Sequence, residues 1–290
     1  MKSIPNVTRF DDGVIRLLGF NSNPMTLQGT NSYLVGAGNS RLLVDTTDPG
    51  LDNYIKQLED VLKEENSTIS NIIATHWHHD HIGVITDGKL KKLLADDCKI
   101  WKFPRSDADE SYGDFKFLDL VDGQEFILEG GTKLKVYHTP GHTTDHVILF
   151  DEATKAVYAG DCILGEGTAI FEDLFDYMKS LEFILKLAPS AIYPGHGDVI
   201  YDPIERIQFY IDHRNQREKQ IFDAIVASSD PLTAMQIVKI VYTTTPRHLY
   251  PAAAVNVNQH LKKLKREGKI FNAEKGGDTH WQATGQSNKL

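Results

Sequence analysis

Over the first two hundred residues, apolar positions come in short runs separated by polar breaks. Segments 14–20, 31–38, 41–47 and 71–77 are rich in Val, Ile and Leu and end near Gly, Asn, Asp or Pro. That is the pattern of strands bounded by turns. Between the third and fourth runs, Leu51, Tyr54, Ile55, Leu58, Val61 and Leu62 recur at helical spacing and predict a helix over 51–65. Segments 126–141, 146–161 and 191–200 resume the strand pattern, with hairpin-like turns at Gly130-Gly131 and at 152–155. Strands with occasional helices predict a layered α/β body with mixed sheets. After about residue 203 the period lengthens. A long helix is expected over 203–227, broken at 228–231, where Ser229 or Asp230 is placed to cap a second helix over 232–242. A polar break at 243–251 precedes a third helical stretch with Gly268 as its stop. Residues 269–284 then read as two short strands around Gly276-Gly277-Asp278. Helix, helix, hairpin is the order of a winged helix. The chain divides into a body, 1–203, and a tail, 204–290, made of a helical linker and a winged-helix-like module.

Composition narrows the classes. With 290 residues, 41% hydrophobic and 24% charged, the chain is close to globular averages, which excludes a mainly disordered protein. No run approaches the roughly 18 apolar residues of a membrane helix. Cys98 and Cys162 are too few for a disulfide scaffold and fit a reducing compartment. The first residues have no apolar h-region, against a secretory signal, and an acid by Asp11 makes a poor transit peptide. The net charge of −9 conceals an asymmetry: residues 204–290 hold 13 Lys and Arg against 8 Asp and Glu, a net +5, whereas the body carries −14.

Histidine changes the picture most. Of twelve, His76, His78, His79 and His81 fall within six residues at the end of a predicted strand, and His138, His142 and His146 are spaced by four. Imidazoles two apart can converge on one cation, while Asp80 and His81 can face a second. Imidazole with carboxylate suits zinc, manganese or iron, since calcium and magnesium prefer all-oxygen cages. One loop cannot complete two coordination spheres, so further ligands are expected downstream. His142, Asp161 and His196 each follow an apolar strand and lie next to a glycine. Of the others, His79 is expected to point away, His138 to pack or support a ligand, and His146 to sit in a strand. His213 is either a substrate contact or a packed residue, and Cys162 is a small buried side chain.

Five elements occur in order: LLVDTTDPG, THWHHDH, HTPGHT, AGDC and PGHG. On these the chain resembles the metallo-β-lactamase superfamily, and within it the glyoxalase II-like group. The resemblance implies a four-layer αβ/βα sandwich with metals at one edge. It implies that His76, His78 and His142 hold a first metal, that Asp80, His81 and His196 hold a second, and that Asp161 bridges them. It also implies that Asp45 braces the metal loop. Two zinc ions per chain are the expected cofactors.

The resemblance further implies an endoribonuclease that cleaves single-stranded RNA with a hydroxide bridging the two ions, Asp80 accepting or orienting its proton. Lys262, Lys263, Lys265 and Arg266 are candidate phosphate contacts. Tyr250 and Trp281 are the nearby aromatics able to stack a base. No G-x-S-x-G elbow is present, against an acyl-serine route. The competing readings are a glyoxalase II-like thioesterase acting on an acyl-thiol and a non-enzymatic nucleic-acid binder. The resemblance implies the mitochondrial matrix, and the poor transit character of the N-terminus keeps the cytoplasm as the alternative. No membrane association and no obligate protein partner are expected.

Overall fold

The computed structural model describes residues 3–10, 13–106, 109 and 116–285. Asp11, which weighed against a transit peptide, lies outside the described residues. Among the described residues the body holds two sheets. The first runs β1 (Val7–Arg9), β2 (Ile15–Leu18), β3 (Asn31–Val35), β4 (Ser40–Val44), β5 (Thr68–Ala74), β6 (Leu94–Lys102) and β7 (Leu118–Asp119), in that spatial order. It is antiparallel up to β4 and parallel from β4 onward. The second contains β8 (Glu125–Ile127), β9 (Lys133–His138), β10 (Val147–Asp151), β11 (Ala156–Gly160) and β12 (Ala191–Pro194), antiparallel except for the parallel β11–β12 pair.

The period-two side-chain alternation of strands explains how these sheets stack. On β3 and β4, Tyr33, Val35, Leu42 and Val44 face the second sheet, where they meet Val147, Leu149 and Tyr158. Leu34 and Leu43 face the other way, onto α1 (Asp52–Glu64) and α2 (His79–Thr86). On β10, Ile148 and Phe150 point outward onto α3 (Leu174–Lys186) and the first half of α4 (Pro203–Ala227). Helices, sheet, sheet, helices: the four-layer αβ/βα sandwich is formed. Fully burying each such Leu, Ile or Val contributes about 1.5–3 kcal/mol, so the three cores hold the sheet ends in fixed register.

The tail is a winged helix. The second half of α4 packs with α5 (Ala234–Val241) and α6 (Tyr250–Arg266) around Ile221, Ile225, Ile237, Val257 and Leu261. A three-stranded sheet closes it, with β13 (Leu232–Thr233) pairing to the hairpin of β14 (Ile270–Lys275) and β15 (Asp278–Ala283). The cap expected at Ser229 or Asp230 is instead Thr233, in a reciprocal capping box with Gln236, because the short β13 intervenes before α5 begins. α4 begins at the boundary drawn at residue 203 but serves both units. Ile207, Tyr210 and Ile211 belong to the body's core, and Ile221 and Ile225 to the tail's. No helix among the described residues is long and apolar enough to cross a membrane.

Candidate metal centre

Every candidate ligand lies just beyond the end of a strand or in the helix turn that follows one. His76 and His78 follow β5, His142 lies between β9 and β10, Asp161 directly follows β11, and His196 follows β12. His78 stands at the N-cap position of α2, so Asp80 and His81 lie in that helix's first turn. Two donor groups result: His76, His78, His142 and Asp161, then Asp80, His81 and His196, with ligand atoms in each group within 4.8 Å of one another.

In the first group His142 Nε2 lies 3.3 Å from His76 Nε2 and 3.1 Å from His78 Nδ1, and the latter two are 2.9 Å apart. A tetrahedral ion with bonds of ~2.0–2.1 Å has ligand atoms about 3.3 Å apart, so these nitrogens are spaced to share one. In the second, His196 Nε2 is 3.2 Å from Asp80 Oδ2, and His81 Nε2 is 3.5 Å from the same oxygen. Asp161 reaches both groups. Its Oδ1 lies 3.3 Å from His196 Nε2 and 3.4 Å from His81 Nε2, and its Oδ2 lies 3.7 Å from His142 Nε2. Gly195 makes this approach possible, since a Cβ there would stand 2.4 Å from Asp161 Oδ1.

The donor set fits metal ions on a second ground. His81 Nε2 and Asp161 Oδ1 are buried without a hydrogen-bond partner, which costs free energy unless something else engages them. The charges agree. Burial, reinforced by the neighbouring imidazoles, holds His76 well below its ordinary range and His78 down to about 4, leaving neutral rings with free lone pairs. Burial opposes a charge on His81 and His196 too, but carboxylates outweigh it. Asp80, Asp161 and Asp45 raise His81 well above its ordinary value, and Asp161 and Asp80 raise His196 to about 9. Burial works against ionisation of Asp80 and Asp161 as well. Their imidazole neighbours nevertheless hold both well below the usual carboxylate range. This half of the centre demands positive charge.

Outer contacts fix the rings. Asp45, at φ 57° just past β4, accepts the Thr75 backbone N–H at 2.7 Å on Oδ1. Its Oδ2 accepts the Thr75 hydroxyl at 2.8 Å and His81 Nδ1–H at 2.9 Å. His142 Nδ1–H donates to the Ile170 carbonyl at 2.7 Å, turning Nε2 toward the first group. Such partners set tautomer and ring orientation.

The remaining expectations sort as follows. His79 is exposed and pairs with Asp48 at 3.2 Å, outside both groups. His138 stacks on Phe103, and its Nε2–H donates to the Thr144 carbonyl. His146 is buried against His76, with Nδ1 3.0 Å from the Thr139 hydroxyl. His213 is exposed beside Phe209, away from the groove. The Cys162 thiol is fully buried, and burial pushes its pKa up. The four basic residues divide. Lys262 and Lys265 are exposed. Lys263 does not face solvent: its ammonium lies 2.7 Å from both Glu218 and Glu267, which draw it against α4. Arg266 is half exposed, pairs with Asp176 at 3.2 Å and lies over Phe175. Trp281 packs into the winged-helix core, so it offers no face for a base.

The centre opens into a groove of about 640 Å³. One wall is Met25 and Leu27, and the other is the segment 164–172, with Leu164, Ile170 and Phe171. Nothing in the local sequence marks that second wall as part of the site.

The family profile described as the Metallo-beta-lactamase superfamily matches residues 25–90 and 96–196, and the Beta-lactamase associated winged helix domain matches 233–281. The chain is 53% identical over 276 residues to a Drosophila melanogaster protein named Beta-lactamase-like protein 2 homolog, covering 93% of this chain and 94% of that one. It is 32% identical over 297 residues to the Atrochrysone carboxyl ACP thioesterase of Aspergillus fumigatus, covering 97% and 91%. A crystal structure of a Beta-lactamase domain protein from Burkholderia ambifaria aligns with a TM-score of 0.75 at 18% identity, covering 96% of this chain and 93% of that one, a likeness of fold.

Proposed function

The chain belongs to the metallo-β-lactamase superfamily, and on that premise we propose that it is a zinc-dependent endoribonuclease acting on single-stranded RNA. The observation that carries this reading is the placement of α6 beside a centre with two donor groups. Gln259 on α6 donates to the Glu172 carbonyl on the groove wall at 2.9 Å. Lys262 follows one helical turn later, about 4.5 Å along the axis. Lys262 and Lys265 are exposed on that helix and offer cationic contacts to a polyanion that extends from the groove toward it.

His76, His78 and His142 with Asp161 would hold one ion, and Asp80, His81 and His196 with Asp161 the other. Bound ions of this kind supply a water of lowered pKa and neutralise charge on the attacking and leaving oxygens. The protein's own side chains do the rest. Asp80, 14% exposed at its side chain, faces the groove and can orient an attacking water or receive its proton. Asp45 and the Ile170 carbonyl keep His81 and His142 in one tautomer. Met25, Leu27 and Ile170 offer apolar surface to unstacked bases. A mitochondrial matrix location accompanies this reading, and fractionation of cells expressing the tagged protein tests it.

A second reading has its own support. Among the described residues lining the groove there is no Lys or Arg, whereas Asp48, Glu166 and Glu172 are part of its lining. An uncharged acyl chain suits such walls, and the Aspergillus fumigatus relative is named a thioesterase. Purified protein assayed side by side on single-stranded RNA and on an acyl-glutathione decides between them. RNA cleavage that chelator abolishes and zinc restores supports the nuclease; turnover of the thioester alone refutes it.

A further inference from the structure

The segment 164–172 is one wall of the groove, and its two ends are tied to metal-ligand loops. The Gly165 amide donates to the His196 carbonyl at 2.8 Å, and the Glu172 amide donates to the carbonyls of Gly141 and His142 at 2.8 and 3.1 Å. Between these ends the segment has no regular secondary structure. Its carbonyls need donors from elsewhere, since unpaired backbone oxygens away from water are costly.

Those donors come from the helices of the C-terminal unit. Arg206 on α4 donates to the Leu164 carbonyl at 2.9 Å and to the Gly167 carbonyl at 2.8 Å. Two turns further along the same helix, Arg214, only 5% exposed, donates to the Ala169 carbonyl at 2.9 Å and lies 4.7 Å over the Phe171 ring. Gln259 on α6 holds the Glu172 carbonyl. Arginine suits this task because its planar fork can bond a carbonyl while its face packs on an aromatic ring. The next carbonyl after that of Ala169 belongs to Ile170 and receives His142 Nδ1–H.

We propose that Arg206, Arg214 and Gln259 are positioning residues, through which the shared helix α4 and the winged-helix α6 set the shape of the 164–172 wall and thereby what the groove accepts. The inference deepens the hydrolase reading of this site without depending on which substrate is cleaved. None of the three side chains reaches a ligand atom, so their effect is on substrate fit and not on the ions.

The test uses the full-length, zinc-loaded protein and the variants Arg206→Met, Gln259→Ala and Arg214→Lys. Arg206 and Gln259 lie nearer the surface and keep the test valid if the buried Arg214 variant does not fold. Two substrates are compared: a single-stranded RNA oligonucleotide long enough to touch the wall, and bis(p-nitrophenyl) phosphate. The expected result is KM for RNA raised about tenfold with kcat changed less than about twofold, as for lost uniform binding. The small diester should be turned over as by wild type, zinc content should stay unchanged, and amide exchange across 164–172 should quicken. Equal losses on both substrates together with lost zinc overturn the proposal, because the contacts then serve only the metal ligands. Unchanged KM in every folded variant overturns it too. If the wild type is inert on RNA, the nuclease reading fails by itself. The same KM comparison on decanoyl-N-acetylcysteamine against acetyl-N-acetylcysteamine then tests the wall.

Discussion

Asp45→Asn exchanges one carboxylate oxygen for an NH2 group at constant volume, and the hydrogen bonds around it leave little freedom. The Thr75 backbone N–H can only donate, so the amide oxygen must take the Oδ1 place, 2.7 Å away. The NH2 group then occupies the Oδ2 place, facing the Thr75 hydroxyl at 2.8 Å and His81 Nδ1 at 2.9 Å. It donates to both, so a neutral His81 must carry its proton on Nε2. That nitrogen is the one 3.4 Å from Asp161 Oδ1, and once protonated it has no lone pair for an ion. Loss of an outer partner of this kind weakens metal binding about 10- to 100-fold, or roughly 1.4–2.8 kcal/mol. Asp45→Ala goes further, leaving a buried N–H and an imidazole without partners at about 1–3 kcal/mol each. Zinc titration against a chromogenic chelator resolves the two binding steps, and long-range proton–nitrogen NMR reads the His81 tautomer. Only the step that uses Asp80, His81 and His196 should weaken in the Asn variant. Wild-type affinity at both steps, with the proton still on Nδ1, would refute the assigned role of the brace.

Asp161 is the carboxylate common to both donor groups, so Asp161→Ala should abolish turnover and lower metal content by elemental analysis, whereas His79→Ala should do neither. With Lys263 drawn inward, the phosphate-contact test falls on Lys262→Glu with Lys265→Glu. KM for single-stranded RNA should rise, the dependence on salt should flatten, and kcat should hold. Glu218→Gln tests the joint between α4 and α6. Burial disfavours the Glu218 charge, but His260 beside it, 3.9 Å away, and the hydrogen bond and charge of Lys263 outweigh it and hold the carboxyl at about 2, against an ordinary 4.5. Such a depressed value stabilises the fold fully above pH 4.5 and less as pH falls through 2. After allowance for solvent screening the contribution is about 1–2 kcal/mol. Chemical unfolding should show that deficit in the variant at pH 7, shrinking as the medium approaches pH 2.

The parts of this protein legible in the sequence were those in which a local pattern carries the information. The heptad-like recurrence of Tyr54, Leu58, Val61 and Leu62 gives α1, because one face alone is buried. The candidate ligands were legible because His76, His142, Asp161 and His196 follow apolar strands, with His78, Asp80 and His81 coming close behind His76. α2 was not. Its Ile82, Gly83, Val84 and Ile85 are all buried, so no polar face betrays a helical period, and the histidines ahead of it read as a loop. Nor was the groove wall. Arg214 and Ala169 are 45 residues apart and Gln259 and Glu172 are 87 apart, and neither pairing leaves a trace in its neighbours. Lys263 shows the same limit from the other side. A run of cations looks uniform in sequence, yet the helix turns one of them onto Glu218.

The shared helix α4 also governs how the molecule comes apart. Its 25 residues extend about 37 Å. Ile207 and Ile211 are locked into one hydrophobic core and Ile221 and Ile225 into another. Melting either half strips apolar surface from the unit at that end, and a rigid helix passes the loss to its other end. Heating should therefore give one calorimetric transition with matching van't Hoff and calorimetric enthalpies, where two units joined by a flexible tether would give two. A cut or truncation near residue 215 would leave both fragments with an unsealed core, so the winged helix and the body should fold and unfold together.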